Sequence, residues 1–140
     1  MLSTRSLLII AASGLLASCQ RLSPMEQKIV GAWSWTYIEG VGRMMFAADH
    51  TLRMGFPPDE KDGRKISDSE FEILKAGTWR VEGDTLITET DNKPLIELLQ
   101  RIAPSEVPAF KRETQRLRIV SIDDNKIVFD NRSVLERVHR

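Results

Sequence analysis

The sequence lacks several features on which whole classes of protein depend. It has a single cysteine, Cys19, so no disulfide can form within the chain and the fold must be stabilised by packing. Its two histidines, His50 and His139, form no His-x-x-x-His pattern, and the chain has no Cys-x-x-Cys and no Gly-x-Ser-x-Gly motif. A metal centre and a nucleophilic enzyme therefore have no support in the sequence. We expect no catalytic residues, no metal site and no cofactor.

The chain also lacks an excess of charge and a hydrophobic run long enough to span a membrane. It has 20 basic and 20 acidic side chains, and a formal net charge of zero argues against a general nucleic-acid binder. The hydrophobic share of 41% and the charged share of 29% are close to those of ordinary globular proteins. At 140 residues the chain suffices for one domain around one core. A single folded domain is therefore the expectation.

The N-terminal segment has the layout of an export signal. Arg5 supplies positive charge, and a mostly apolar run follows from Leu7 to Ala17. That run is shorter than the roughly 18 apolar residues that a membrane-spanning helix needs. The residues Leu16-Ala17-Ser18-Cys19 resemble the lipobox of bacterial lipoproteins. The alternative is an ordinary secretory leader in which the cysteine is incidental.

The resemblance to bacterial lipoproteins implies how the protein is held in the cell. In that family the cysteine thiol receives a diacylglyceryl group, the leader is removed before the cysteine, and the new amine can be acylated, for example with palmitate. We therefore expect a signal peptide at 1–18, lipid on Cys19, and an anchor and tether at 19–27. Two or more acyl chains, at about 0.8 kcal/mol per buried CH₂, give a stable anchor. Gln20 implies, by the same resemblance, the outer membrane facing the periplasm.

The remainder of the chain is predicted to be mainly β, with a few short helices. Alternating apolar and polar residues between turn-forming residues predict strands at 32–38, 43–48, 51–56, 78–81, 85–90, 115–122, 126–130 and 133–138. Capping residues and helical spacing predict helices from Ser23 to about Val30, from Ser67 to about Lys75, and from Pro94 to Pro104. Eight short strands joined mostly by tight turns favour an up-and-down β-barrel at 28–140, because closure removes exposed edges. A β-sandwich is the alternative.

Short phrases in the chain add a second family resemblance. The helical turn leading into Gly31-Ala32-Trp33 resembles the Gly-x-Trp start of lipocalins, and residues 46–52, 77–86 and 117–123 look like parts of small bacterial lipocalin-like domains. The likeness spans about residues 28–138 and implies a closed barrel around a small apolar ligand. The helical insertion at 94–108 and the absence of a Thr-Asp-Tyr phrase depart from the family pattern.

The candidate ligand cavity consists of aromatic residues. If the barrel forms, its interior is expected to include Trp33, Trp35, Tyr37, Phe46 and Trp79. Aromatic residues at strand period also commonly fill a core, and this alternative stays open. The expected function is that of a non-enzymatic envelope lipoprotein that binds a small hydrophobic ligand and contacts the membrane through lipid on Cys19. The alternative is a solid barrel that docks another envelope protein, with the insertion at 94–108 as its docking surface.

Overall fold

The chain forms a β-barrel in which each strand pairs with the next along the sequence. The computed structural model describes residues 21–37, 40–56 and 72–138. Within these ranges eight antiparallel strands close into a barrel, because β8 pairs with β1. The strands are β1 (Gly31–Tyr37), β2 (Gly40–Phe46), β3 (Thr51–Phe56), β4 (Glu72–Glu82), β5 (Thr85–Asp91), β6 (Arg112–Ile122), β7 (Lys126–Phe129) and β8 (Val134–Arg137). The expected lipocalin-like barrel is confirmed, and closure excludes the β-sandwich.

Two of the predicted helices are present. Helix α1 (Pro24–Ile29) begins with a capping box, in which the Ser23 hydroxyl accepts from the Glu26 N–H and the Glu26 carboxylate accepts from the Ser23 N–H. Helix α2 (Lys93–Ile102) lies between β5 and β6 and is followed by a 3₁₀ turn at Pro104–Glu106. Helix α1 starts inside the segment 19–27 that the sequence assigned to the tether, and Glu26 and Ile29 are buried.

The predicted helix that ends near Lys75 is wrong over its described part. Residues 67–71 lie outside the described ranges, and the next four residues belong to β4. There Glu72 pairs with Phe56 and Lys75 pairs with Met54, with a bulge between these two pairs. The hydrogen bonds of a sheet that closes on itself outweigh a local capping signal, because helix propensity is a weak preference that tertiary context overrides.

The core occupies one half of the barrel. Alternate residues of each strand point inward, and the pairs Trp33–Met44 and Phe46–Leu52 fix which residues these are on β1, β2 and β3. The core cluster consists of Ile29, Trp33, Met44, Phe46, Leu52, Trp79, Leu86, Ile119, Ile127, Phe129 and Leu135. Full burial of each large apolar side chain contributes about 1.5–3 kcal/mol, so this cluster is the main source of stability.

The two ends of the barrel are built differently. Helix α1 and the turns at 47–50, 83–84 and 123–125 lie at the end where β1 begins, which we call the closed end. Helix α2 and the connection from β7 to β8 lie at the opposite end, which we call the mouth.

Candidate ligand site at the mouth of the barrel

Helix α1 is fastened to the closed end by a buried carboxylate. Glu26 lies 3.0 Å from Nε2 of His50 and accepts a hydrogen bond of 3.1 Å from the N–H of Val81. Burial by itself would raise the pKa of Glu26, but hydrogen bonds from the N–H groups of Ser23 and Val81 and from His50 outweigh it. They hold the pKa of Glu26 below its usual range. Glu26 thus links helix α1 to the β2–β3 turn through His50 and to β4 through Val81.

A stacked tryptophan and arginine complete the seal at this end. The indole N–H of Trp33 donates to the carbonyl of Ile29 at 2.6 Å. The guanidinium of Arg137 lies 4.2 Å from the centre of a Trp33 ring and donates to the carbonyls of Lys28 and Val30. These contacts join the first strand, the last strand and helix α1, and they close this end of the barrel.

Three of the five aromatic residues that the sequence proposed for a cavity fill the core instead. Trp33, Phe46 and Trp79 are 0%, 0% and 1% exposed, and the rings of Phe46 and Trp79 pack edge to face at 5.3 Å. Trp35 is only partly buried and lies nearer the mouth. The side chain of Tyr37 lies outside the described part of the structure. Trp35 is thus the member of the set that reaches a pocket.

The mouth contains an apolar pocket of about 240 Å³. It lies between strands β1, β3 and β4 and helix α2, and its lining consists of Trp35, Met54, Gly55, Phe56, Leu74, Lys75 and Leu95. The ring of Trp35 lies 6.3 Å from that of Phe56. It also lies against Gly42, where a Cβ atom would overlap the indole. The absence of a side chain at Gly42 therefore allows Trp35 to take this position in the pocket wall.

A charged cluster stands at the rim of this pocket. Lys75 lies on the inner face of β4, because it pairs with Met54 and has the same parity as Trp79. Its Nζ atom is 3.0 Å from Oε2 of Glu113, and Nζ of Lys111 is 3.0 Å from Oε1 of the same carboxylate. Hydrogen bonds from these two lysines hold the pKa of Glu113 below its usual range. Two cations therefore share one anion at the mouth.

The barrel wall beside the charged cluster is incomplete among the described strands. Strand β6 pairs with β5 from Arg112 to Arg118, but it pairs with β7 only from Ile119 onward. Strands β7 and β8 have four residues each, and β8 pairs with β1 only at Trp33 and Ser34. Consistent with an opening in the wall, Gln115 is exposed although it pairs with the buried, inward-facing Thr88. Among the described residues, the mouth half of the barrel is therefore open at this side, whereas the other half is filled by the core.

The described structure contains no cluster of side chains that could bind a metal ion. Across residues 21–37, 40–56 and 72–138, no three His, Cys, Asp or Glu side chains are close enough to hold a metal ion. His50 lies in the β2–β3 turn at a φ of 66° and binds Glu26. His139 and Cys19 lie outside the described ranges.

The sequence reasoning did not bring Lys75 together with Glu113 and Lys111 at the rim of a pocket. The sequence patterns predict a helix at Lys75 and a sixth strand that begins only at Gln115, so they place neither Lys75 nor Glu113 on the inner face of a strand. A usable signal was present, since Lys75 shares its parity with Gly77, Trp79 and Val81, and Glu113 shares its parity with Leu117 and Ile119. Extending the strand alternation toward the N-terminus in both segments would have placed both charged groups on the inner face.

Comparison with known proteins leaves the geometry as the basis for assigning a function. The chain matches no protein-family model, no curated protein and no solved structure. Of the helices in the described ranges, none combines the length and the apolar character needed to cross a bilayer.

Proposed function

We propose that this protein is a non-enzymatic binding protein that takes a small, largely apolar molecule into the mouth pocket. The observation that supports this is the pocket of about 240 Å³, lined mainly by apolar side chains and open at the end of the barrel opposite helix α1. A cavity of roughly 150 Å³ is sufficient for benzene, and pockets for drug-sized ligands begin at about 300 Å³. The pocket therefore suits a small molecule or one end of a longer one.

The solid half of the barrel limits where such a molecule can bind. Trp33, Phe46 and Trp79 occupy the interior of the closed half, so a ligand cannot extend through the barrel. It has to bind between Trp35 and helix α2, with the remainder directed outward. This geometry favours reversible uptake of an apolar group over full enclosure.

We further propose that the barrel is anchored through lipid on Cys19 to the envelope, in the outer membrane facing the periplasm. The lipobox resemblance of Leu16-Ala17-Ser18-Cys19 supports this. Pro24, where helix α1 begins, is five positions after Cys19, and at about 3.3–3.6 Å per residue this segment reaches at most about 18 Å. The anchor would thus hold the closed end near the membrane and direct the mouth away from it. Mass spectrometry of the protein from membranes should show acyl chains that a Cys19→Ala variant lacks.

Calorimetric titration with 1-octanol tests the binding proposal. Residues 20–140 suffice, because helix α1 and all eight described strands lie within them. We expect saturable binding that a folded Trp35→Glu variant loses, because the new carboxylate would stand in the apolar wall. Thr36→Glu is the matched control, since it places the same charge on the exposed outer face of the same strand. Absence of octanol binding by the wild type, or equal binding by Trp35→Glu, would contradict the proposal.

A second candidate function is docking of another envelope protein through the insertion at 94–108. It is favoured by helix α2, which has no fully buried side chain, and by Ile102 and Phe110, which are 68% and 56% exposed. If this is the function, a specific partner co-purifies from membranes with the wild type and is lost when residues 94–108 are replaced by a short linker. Under this reading octanol binding is dispensable, which separates it from the first candidate.

A further inference from the structure

The chemistry of the pocket rim indicates what kind of molecule the pocket would accept, if the proposed binding function holds. The lining is apolar except for Lys75, which forms part of the wall together with Met54 and Trp35. A lysine stem commonly covers apolar surface while its ammonium group reaches a polar position. Here the ammonium reaches Glu113 at the edge of the pocket. An apolar group in the pocket would therefore have a cation next to one of its ends.

The charges of the described cluster at the rim do not balance. Lys75 and Lys111 both contact Glu113, so the three groups carry one net positive charge. Asp91 is the acidic residue at the end of the neighbouring strand, but it pairs with Ala76 on the outer face of the sheet and directs its carboxylate to the N–H of Lys93. The cluster of Lys75, Lys111 and Glu113 is thus electrostatically suited to an anion.

The contact between Lys75 and Glu113 can be exchanged at low cost. Their side chains are 40% and 29% exposed, and ion pairs at such exposure contribute about 0–1 kcal/mol. When Lys75 turns toward another anion, Glu113 keeps its contact with Lys111 and is not left without a cation. Because Glu113 contacts both lysines, Lys75 can turn to another anion without leaving the Glu113 carboxylate unpaired.

We propose that the ligand is an amphipathic molecule with an anionic end group, a carboxylate or a phosphate, which Lys75 binds in exchange for Glu113 while the apolar part lies against Trp35. The acidic group stays at the rim, where water can reach it, and only the apolar portion enters the pocket. This inference rests on the proposed binding function and adds a charge requirement to it.

Octanoate and 1-octanol provide a matched pair of probes for this charge requirement. They share the same alkyl chain, and at pH 7 only octanoate carries a charge. In calorimetric titrations of residues 20–140 we expect octanoate to bind about tenfold more tightly than octanol, because a charge-assisted contact is added. In a Lys75→Met variant, which keeps an unbranched apolar side chain, the preference for octanoate over octanol should disappear.

Two further variants separate the role of Lys75 from general electrostatics. Lys93→Met removes the same charge from an exposed position at the start of helix α2, and it should keep the preference for octanoate. Glu113→Gln removes the competing carboxylate, and it should tighten octanoate binding several-fold relative to octanol binding. This second variant gives an independent result should Lys75→Met fail to fold.

The outcomes distinguish failure of this inference from failure of the binding function. If octanol binds as tightly as octanoate, or if Lys75→Met keeps the preference, the anionic end group is wrong while the apolar pocket remains. If Glu113→Gln weakens octanoate binding, the exchange between Glu113 and the ligand is wrong. If neither probe binds to the wild type, both the inference and the proposed function fail.

Discussion

Replacing Glu26 with glutamine should measure how firmly helix α1 is held to the closed end. The carboxylate has three hydrogen-bond partners. Its Oε1 accepts from the Ser23 N–H, and its Oε2 accepts from the Val81 N–H and from Nε2 of His50. A glutamine has one oxygen and one NH₂ group, so at least one of these donors would face another donor. An unsatisfied donor and the loss of charge-assisted bonds together cost about 2 kcal/mol.

That cost is large relative to the stability of a small domain, which is typically about 5–15 kcal/mol. We therefore expect the Glu26→Gln variant of residues 20–140 to unfold at a lower urea concentration than the wild type, with an unchanged m-value. The melting temperature should fall by roughly 5–10 °C. Trp33 and Trp79 are buried and report global unfolding by their fluorescence.

The difference in the free energy of unfolding between wild type and Glu26→Gln should depend on pH, and this dependence tests the role of the charge more directly than a measurement at one pH. The pKa of Glu26 is lower in the folded state than its unfolded value of about 4.3, so its stabilisation is fully present above that value. It is lost as the pH falls through the folded-state pKa. The difference between the free energies of unfolding of wild type and variant should therefore shrink once the pH falls below about 4.3. Lowered pKa values at Asp49, Asp84 and Glu113 affect both proteins equally and cancel in the comparison.

Two outcomes would refute the reasoning about Glu26. A difference in stability that does not shrink as the pH falls below about 4.3 would show that the charge of Glu26 does not provide the stabilisation. A difference below about 0.5 kcal/mol at pH 7, the range of ordinary surface substitutions, would show that helix α1 is held by other contacts.

Two further substitutions test other parts of the structure. Arg137→Met removes the cation above Trp33 and the donors to the carbonyls of Lys28 and Val30. Urea unfolding should therefore show that the free energy of unfolding falls by about 2–3 kcal/mol. A smaller fall than for Arg116→Gln, a control at an exposed position, would contradict the sealing role. Gly42→Ala puts a methyl group where the Trp35 ring lies, so we expect a loss of about 1–3 kcal/mol and weaker octanol binding by calorimetry. Unchanged octanol affinity in this variant would show that Gly42 does not set the pocket wall.

Much of the fold could be predicted because its signals are local. Strand β3 lies where alternation placed it, at 51–56, and helix α1 begins at the capping box that the sequence contains. Tight turns such as the one before Thr85 fixed the order of the strands. Nearest-neighbour pairing along the chain then follows from short connections, and closure follows from the need to cover two edges.

The division of the barrel into a solid half and an accessible half could not be predicted from local patterns. The alternation placed Trp33 and Trp35 on one face, but it does not say that one is fully buried while the other lines a pocket. That difference depends on the lengths of β7 and β8, which leave the wall incomplete beside the mouth. The start of β4 was missed for a related reason, since its pairing with β3 is a tertiary contact that no capping signal contains.

Two ion pairs, one at each end of the barrel, show how a ligand could exchange a contact at the mouth without destabilising the fold. At the closed end His50 and Glu26 are only 14% and 8% exposed, so breaking their contact would leave a poorly hydrated carboxylate. At the mouth Lys75 and Glu113 are several times more exposed, and Lys111 supports the carboxylate if Lys75 leaves. When a ligand replaces the contact between Lys75 and Glu113, the protein keeps the stability that the contact between Glu26 and His50 provides. Binding at the mouth should therefore leave the closed end intact, and backbone amides of helix α1 and the Val81 N–H should keep their hydrogen-exchange protection when octanoate is added.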